Sequence, residues 1–192
     1  MTRLLIIGPP GAGKGTQAEL IAKRFGIPAI STGDIFRANV TAQTPLGVEA
    51  KRYMDAGEYV PDSVTNTMVR DRLAVSDAAE GFLLDGYPRT VAQVAFLDGV
   101  LADLGAGLDR VIELTVDVEE VVGRLLLRAA QGDRADDTEA VIRYRQKLYV
   151  DQTAPLTAIY ADRGLLAKVD GRGTVEEVAE RVAAAVAGHA TD

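Results

Sequence analysis

Gly8-Pro9-Pro10-Gly11-Ala12-Gly13-Lys14-Gly15-Thr16 follows the apolar run Leu4-Leu5-Ile6-Ile7 and leads into a helical pattern. Glycines let such a loop bend until successive backbone N–H groups point inward, where they can bind phosphate oxygens. The positive end of the following helix adds to the attraction. Lys14 is in register to reach the outer phosphates as a point charge. Gly15 intervenes before Thr16, so relative to the strict G-x-x-x-x-G-K-[ST] spacing a hydroxyl serving Mg²⁺ is either offset by one residue or absent. The plainer alternative is a glycine-rich turn capping a helix. Gly8, Gly11, Gly13 and Gly15 in one loop, with the lysine in place and a strand leading in, favour phosphate.

Phe82-Leu83-Leu84-Asp85-Gly86 is an apolar strand ending in an acid. Ligands in open α/β sheets bind at the C-terminal strand edge. Asp85 there could hold Mg²⁺ through water, with Thr16 as a second metal candidate, although turns also recruit Asp. Cations gather around the same edge. Arg89 follows in Gly86-Tyr87-Pro88-Arg89, and Arg37 follows Ser31-Thr32-Gly33-Asp34 after the second candidate strand. Arg124 and Arg128 stand four apart on one helix, a repulsive pair unless an anion or acid lies between them. Arg134 falls in a polar break, with Arg143 and Arg145 beyond it. A solvated, salt-bridged surface is the competing reading, since Glu120, Asp136, Asp137 and Glu139 lie close in sequence.

Elements must bring these residues together. Candidate strands are Arg3–Ile7, Pro28–Ser31, Gly81–Asp85, Arg110–Thr115 and Leu166–Asp170, several of them near-continuously apolar, as strands covered on both faces are. The spacing predicts helices over Lys14–Phe25, stopped by Gly26, over Thr90–Leu104, and over Thr174–Ala187 with a capping box from Thr174 to Glu177. Alternation of the two types predicts a parallel α/β sheet with helices on both faces. About 50 residues between the second and third strands read as helices punctuated by Pro45, Gly57 and Pro61, an insertion in the core. Residues 130–137 form the polar break, and Pro155 should interrupt the second of the flanking helices.

The 192 residues suit one compact domain, and 47% hydrophobic with 26% charged residues excludes disorder. No apolar run is long enough to span a membrane, and no signal peptide is recognisable, so the expected compartment is the cytoplasm. There are no cysteines, and the one histidine, His189, lies near the C-terminus. Thiolate metal sites and histidine acid–base chemistry are therefore not expected. The net charge of −7, with no Trp, argues against nucleic acid as a partner. A bound anion must be held by a local cluster of Arg and Lys.

In order along nearly the whole chain, the glycine loop ending Gly-Lys-Gly-Thr, Ser31-Thr32-Gly33-Asp34 with Arg37, Glu58-Tyr59-Val60-Pro61, and Asp85-Gly86-Tyr87-Pro88-Arg89 with Gln93 resemble the adenylate kinase family. One departure is visible: Asp133, where the family usually has glycine, precedes Arg134. The resemblance implies a five-stranded parallel sheet in P-loop kinase order, with helices on both faces. It implies a core of residues 1–30, 61–128 and 138–192, a mobile nucleoside-monophosphate domain over 31–60, and a short lid over 129–137. It also implies Mg²⁺-dependent phosphoryl transfer from ATP to AMP, giving two ADP, by a monomer. Under it, Gly11, Ala12, Gly13, Lys14, Gly15 and Thr16 bind the ATP phosphates. Arg124 stacks on the ATP adenine, Arg128 meets the phosphate side, and Gly173 meets the base through its backbone. Thr32 and Gln93 read the AMP base beside Glu58, Tyr59 and Val60. Gly86, Tyr87 and Pro88 line the AMP site, and Arg37 and Arg89 grip its phosphate. Arg134 and Arg145 arrive with the lid. The catalytic set is Lys14, Arg89, Arg128, Arg134 and Arg145.

The nucleophile in such a reaction is an AMP phosphate oxygen, already anionic, so no general base is needed and the lack of a usable histidine is expected. Lys14, Arg37, Arg89, Arg128, Arg134 and Arg145 with Mg²⁺ can balance the roughly six negative charges of two nucleotides. With no Cys or His in the lid, and acids strung too closely for a tetrahedral cage, no structural zinc is expected. UMP/CMP kinases share the core and a short lid, but usually carry Ala and Asn where Thr32 and Gln93 stand. A P-loop switch or regulatory ATPase would have no use for Arg37, Arg89, Thr32 or Gln93. An idle binding module would have none for the full arginine set.

Overall fold

The computed structural model of the chain describes residues 2–130 and 138–188. Five strands, β1 (Thr2–Ile7), β2 (Ala29–Ser31), β3 (Gly81–Asp85), β4 (Arg110–Thr115) and β5 (Leu166–Asp170), form one sheet in the order β2-β3-β1-β4-β5. Every pairing is parallel, with Leu4 opposite Leu83 on one side of β1 and opposite Arg110 on the other. The expected strands hold to within one residue at their N-terminal ends.

The pleat explains the apolar runs. Leu4 and Ile6 project into one core layer with Leu83, Ile112 and Leu114, covered by helices α1 (Lys14–Phe25), α6 (Val118–Ala130) and α9 (Val175–Ala187). Leu5 and Ile7 project into the opposite layer with Phe82, Leu84 and Val111, covered by α4 (Asp62–Leu73), α5 (Val91–Asp103) and α8 (Leu156–Asp162). A strand that alternates between two buried faces has no solvent side to leave polar.

Turn chemistry fixes the helix starts. Ser31 accepts from the Asp34 N–H to begin α2 (Thr32–Thr41), Thr44 with Pro45 begins α3 (Pro45–Ala56), and Thr90 begins α5. The capping box at Thr174 and Glu177 is formed in both directions. Thr138 caps α7 (Glu139–Leu148), which passes into a π-helical turn over Tyr149–Thr153 before Pro155 and α8, the interruption that Pro155 announces.

The insertion between β2 and β3 has its own small core of Phe36, Ala50 and Val60, with Leu46, Tyr53 and Met54 packed on it. It depends on one close approach: a Cβ on Gly47 would overlap the Asn39 carbonyl and lie 2.6 Å from the Val40 nitrogen. Gly47→Ala must push α2 and α3 apart, and it should cost about 1–3 kcal/mol. Chemical denaturation of the variant checks this, and an unchanged midpoint would contradict the packing. Among the described residues, no helix is long and apolar enough to cross a membrane.

Candidate active site

The phosphate loop leaves the C-terminal end of β1 and turns back onto α1. Gly11 and Gly13 both have φ near +89°, a region that side chains rarely adopt. A Cβ on Gly11 would also stand 2.8 Å from Leu125 Cγ and 2.9 Å from the Val121 carbonyl, so the loop lies directly on α6. Gly13 caps α1 without a side chain, leaving the first-turn N–H groups to a ligand. Lys14 is the first residue of α1, half-buried, and its Nζ donates to the carbonyls of Gly8 (2.8 Å) and Pro9 (3.1 Å). The ammonium is thereby folded over the loop. From α7, Gln146 Nε2 donates to the Pro10 carbonyl at 2.7 Å and steadies the other shoulder.

Across the cleft, at the ends of β2 and β3, a second polar cluster converges on Gly86. Its carbonyl accepts from Thr32 Oγ1 at 3.0 Å and from Arg89 Nε at 2.7 Å. The Arg89 N–H donates to Gln93 Oε1 (2.7 Å), and Gln93 Nε2 donates to Asp62 Oδ1 (2.7 Å). Asp62 Oδ2 accepts from Thr90 Oγ1 at 3.0 Å, so the carboxylate fixes which way the Gln93 amide faces. The Tyr59 ring lies 4.9 Å from the Arg89 guanidinium. Arg145 Nη2 donates to the Met54 carbonyl at 3.0 Å, tying α7 to the last turn of α3. Arg37 pairs with Asp34 on its own helix.

Burial, above all, pulls the Arg89 pKa below its ordinary value; Tyr59 and Asp85 oppose the shift, while the neighbouring charges of Arg145 and Arg37 add to it. Cations brought this close to one another favour an anion between them.

Both clusters open onto one cleft of about 560 Å³. Gly11, Gly13, Lys14, Gly15 and Thr16 line it from the loop side. Thr32, Arg37, Glu58, Tyr59, Val60, Gly86, Tyr87, Pro88, Arg89 and Gln93 line it from the other, with Asp85 between and Arg124 and Arg145 at the edge. Arg124 keeps both of its sequence readings: it pairs with Glu120 four residues earlier, and it reaches the Gly171 carbonyl at 3.4 Å while facing the cleft. Arg143 pairs with Glu139 at 2.9 Å on the exposed face of α7. Ala12 and Gly173 are not among the lining residues: Ala12 is buried against α1, and Gly173 sits beside Glu177 at the start of α9. Arg134, the remaining lid residues 131–137, His189 and the side chain of Arg128 lie outside the described residues.

Asp85 is 9% exposed at the end of β3, and its Oδ2 stands 3.8 Å from where a Gly15 Cβ would be. It therefore faces the first turn of α1 beside Thr16. A carboxylate and a hydroxyl on the rim of a phosphate loop are hard oxygen donors that suit Mg²⁺, an ion that keeps waters and takes phosphate oxygens. Among the described residues, no group of three or more His, Cys, Asp or Glu is arranged to cage a metal.

Three contacts escape sequence reading. Asp62, Thr153 and Gln146 meet partners 31, 64 and 136 residues away, and none belongs to a local motif.

A parallel sheet in this order, a phosphate loop after β1 and a cation-lined acceptor half in the same cleft define a P-loop kinase acting on a small phosphorylated acceptor. The family model described as Adenylate kinase matches residues 6–165. An adenylate kinase of a Nocardioides species is 68% identical over 94% of both chains. Those of Pseudarthrobacter chlorophenolicus and Kocuria rhizophila are 63% and 62% identical, each over 97% of this chain and over 97% and 99% of their own. The chain belongs to the adenylate kinase family, enzymes that reversibly move the terminal phosphoryl group of ATP to AMP and give two ADP.

Proposed function

We propose that both nucleotides of this reaction occupy the one cleft, with the donor phosphates on the glycine loop and the acceptor phosphate among Arg37, Arg89 and Arg145. The observation that carries this reading is continuity: Lys14 and Thr16 line the same cavity as Thr32, Arg89 and Gln93. On the donor side, the backbone from Gly11 to Thr16 cradles phosphate, Lys14 swings from the Gly8 and Pro9 carbonyls to the transferring group, and Arg124 covers the adenine. Arg128 and Arg134 add charge to the phosphates, and the Gly173 backbone borders the base. On the acceptor side, Thr32 and Gln93 read the base between the backbone of Glu58–Val60 and the wall of Gly86–Pro88.

An oxygen of the AMP phosphate forms the new bond to the terminal phosphorus of ATP as that phosphorus parts from the bridging oxygen of ADP. No proton has to leave the nucleophile, so what the protein supplies is alignment and positive charge over the equatorial oxygens. Mg²⁺, held through water by Asp85 with Thr16 near, would neutralise charge on the bridging phosphates. Residues 31–60 form the part that closes over AMP on a core of 1–30, 61–128 and 138–192, and closure excludes water as a competing acceptor; the short lid is assigned to 129–137, of which 131–137 lie outside the described residues. The catalytic unit in this reading is a monomer, with ATP, AMP and ADP as its ligands.

Base reading is tested by Thr32→Ala combined with Gln93→Asn. Unpaired polar groups at a base edge cost about 1–3 kcal/mol each, so kcat/KM for AMP should fall at least tenfold. The CMP-to-AMP ratio should rise, while KM for ATP stays within about twofold. Coupled assays with AMP, CMP, UMP and GMP as acceptors read this out. An unchanged ratio would show that these residues do not select the base.

A further inference from the structure

A buried hydroxyl holds Arg89 from behind. Between α7 and α8 the helical ladder changes register: the Ala154 N–H donates to the Tyr149 carbonyl five residues back, at 2.8 Å, and Pro155 follows without an N–H of its own. One extra residue in the turn rotates the next side chain, a device frequent at functional sites. Here that side chain is Thr153, 5% exposed and lining the cleft. A hydroxyl so deeply placed must find partners. Thr153 Oγ1 donates to the Arg89 carbonyl at 3.0 Å, which uses its only proton. Its second contact, 2.8 Å from the Tyr59 hydroxyl, must therefore run from Tyr59 as donor to Thr153 as acceptor. The same Tyr59 lays its ring against the Arg89 guanidinium at 4.9 Å.

We propose that Thr153 is a positioning residue for the acceptor site: one hydroxyl fixes the backbone of Arg89 and, through Tyr59, the aromatic ring that steers its guanidinium. Tyr59 belongs to the segment assigned above to the closing domain, and Thr153 to the core. The Tyr59–Thr153 bond thus couples closure over the acceptor to the aim of Arg89. The inference rests on Arg89 gripping the acceptor phosphate.

Thr153→Val keeps the shape and removes both hydrogen bonds. It should raise KM for AMP about fivefold, the size expected of one or two buried hydrogen bonds, and leave KM for ATP within about twofold. Thr153→Ser should restore the wild-type value. Tyr59→Phe, which keeps the ring, should shift KM for AMP in the same direction, and adding it to Thr153→Val should produce no further change. A lower Tm with KM for AMP unchanged, or equal increases in both KM values, would reduce Thr153 to a packing residue and overturn the proposal. Arg89→Lys in the same assay separates the two levels. If it raises KM for AMP while Thr153→Val does not, only the positioning role fails. If Arg89→Lys itself leaves KM for AMP unchanged, the assignment of Arg89 fails and the positioning role with it.

Discussion

Lys14→Met should lower kcat by roughly 10²–10³-fold, the effect of removing one preorganised charge contact to the transition state, worth ~3–4 kcal/mol. The fold should survive. The lysine begins α1 at the cleft rim and is half-buried, and its ammonium rests on the Gly8 and Pro9 carbonyls of its own loop. Methionine matches the length of the stem and keeps helix propensity. Tm should therefore remain within a few degrees while turnover collapses, with KM values changing far less than kcat. A variant keeping more than about a tenth of wild-type kcat would remove Lys14 from the transition state.

Arg89→Met should behave differently, because this guanidinium is part of the cleft wall. Crowding by protein and by the charges of Arg145 and Arg37 already holds its pKa down, so the folded protein is carrying an unfavourable cation. Replacing a desolvated charge with an apolar side chain of similar reach is often neutral or stabilising. The Gly86 carbonyl keeps its bond from Thr32 Oγ1, and the Arg89 backbone contacts to Gln93 and Thr153 do not depend on the side chain. Tm should hold or rise slightly, while kcat/KM for AMP falls about 10³-fold, as loss of a charge-assisted phosphate clamp requires. Paired melting curves and initial rates decide it. Activity within tenfold of wild type, or a drop in Tm matching the drop in rate, would contradict a role centred on the acceptor phosphate.

Much of this architecture can be read from local rules. Leu4-Leu5-Ile6-Ile7 predicts a strand buried on both faces, and the two core layers divide those residues alternately between them. Thr174 and Glu177 announce a helix start, and the capping box is there. The glycine loop, Asp85, Arg37 and Arg89 mark the strand edge that carries the cleft. What local rules cannot supply is contact across sequence distance. Asp62 looks like an ordinary first-turn acid favoured by the helix dipole, yet it orients Gln93. Thr153 sits in a stretch that reads as continuing helix until Pro155, and only the five-residue register of the turn aims it at Arg89. Gly47 reads as an ordinary glycine near a helix start until the backbone of α2 is found against it. Arg37 and Arg124 illustrate a further limit: each has an acid one turn away, and sequence alone does not separate a surface pair from a cation facing a ligand.

The destination of labelled phosphate tests the central claim most directly, because two nucleotides in one cleft require direct transfer between them. With ATP labelled at the terminal phosphate and AMP as acceptor, in the presence of Mg²⁺, the label should appear in the β-position of ADP. It should do so in step with AMP consumption, and the reverse reaction should return it to ATP. Label released as inorganic phosphate, with AMP unconsumed, would contradict the account.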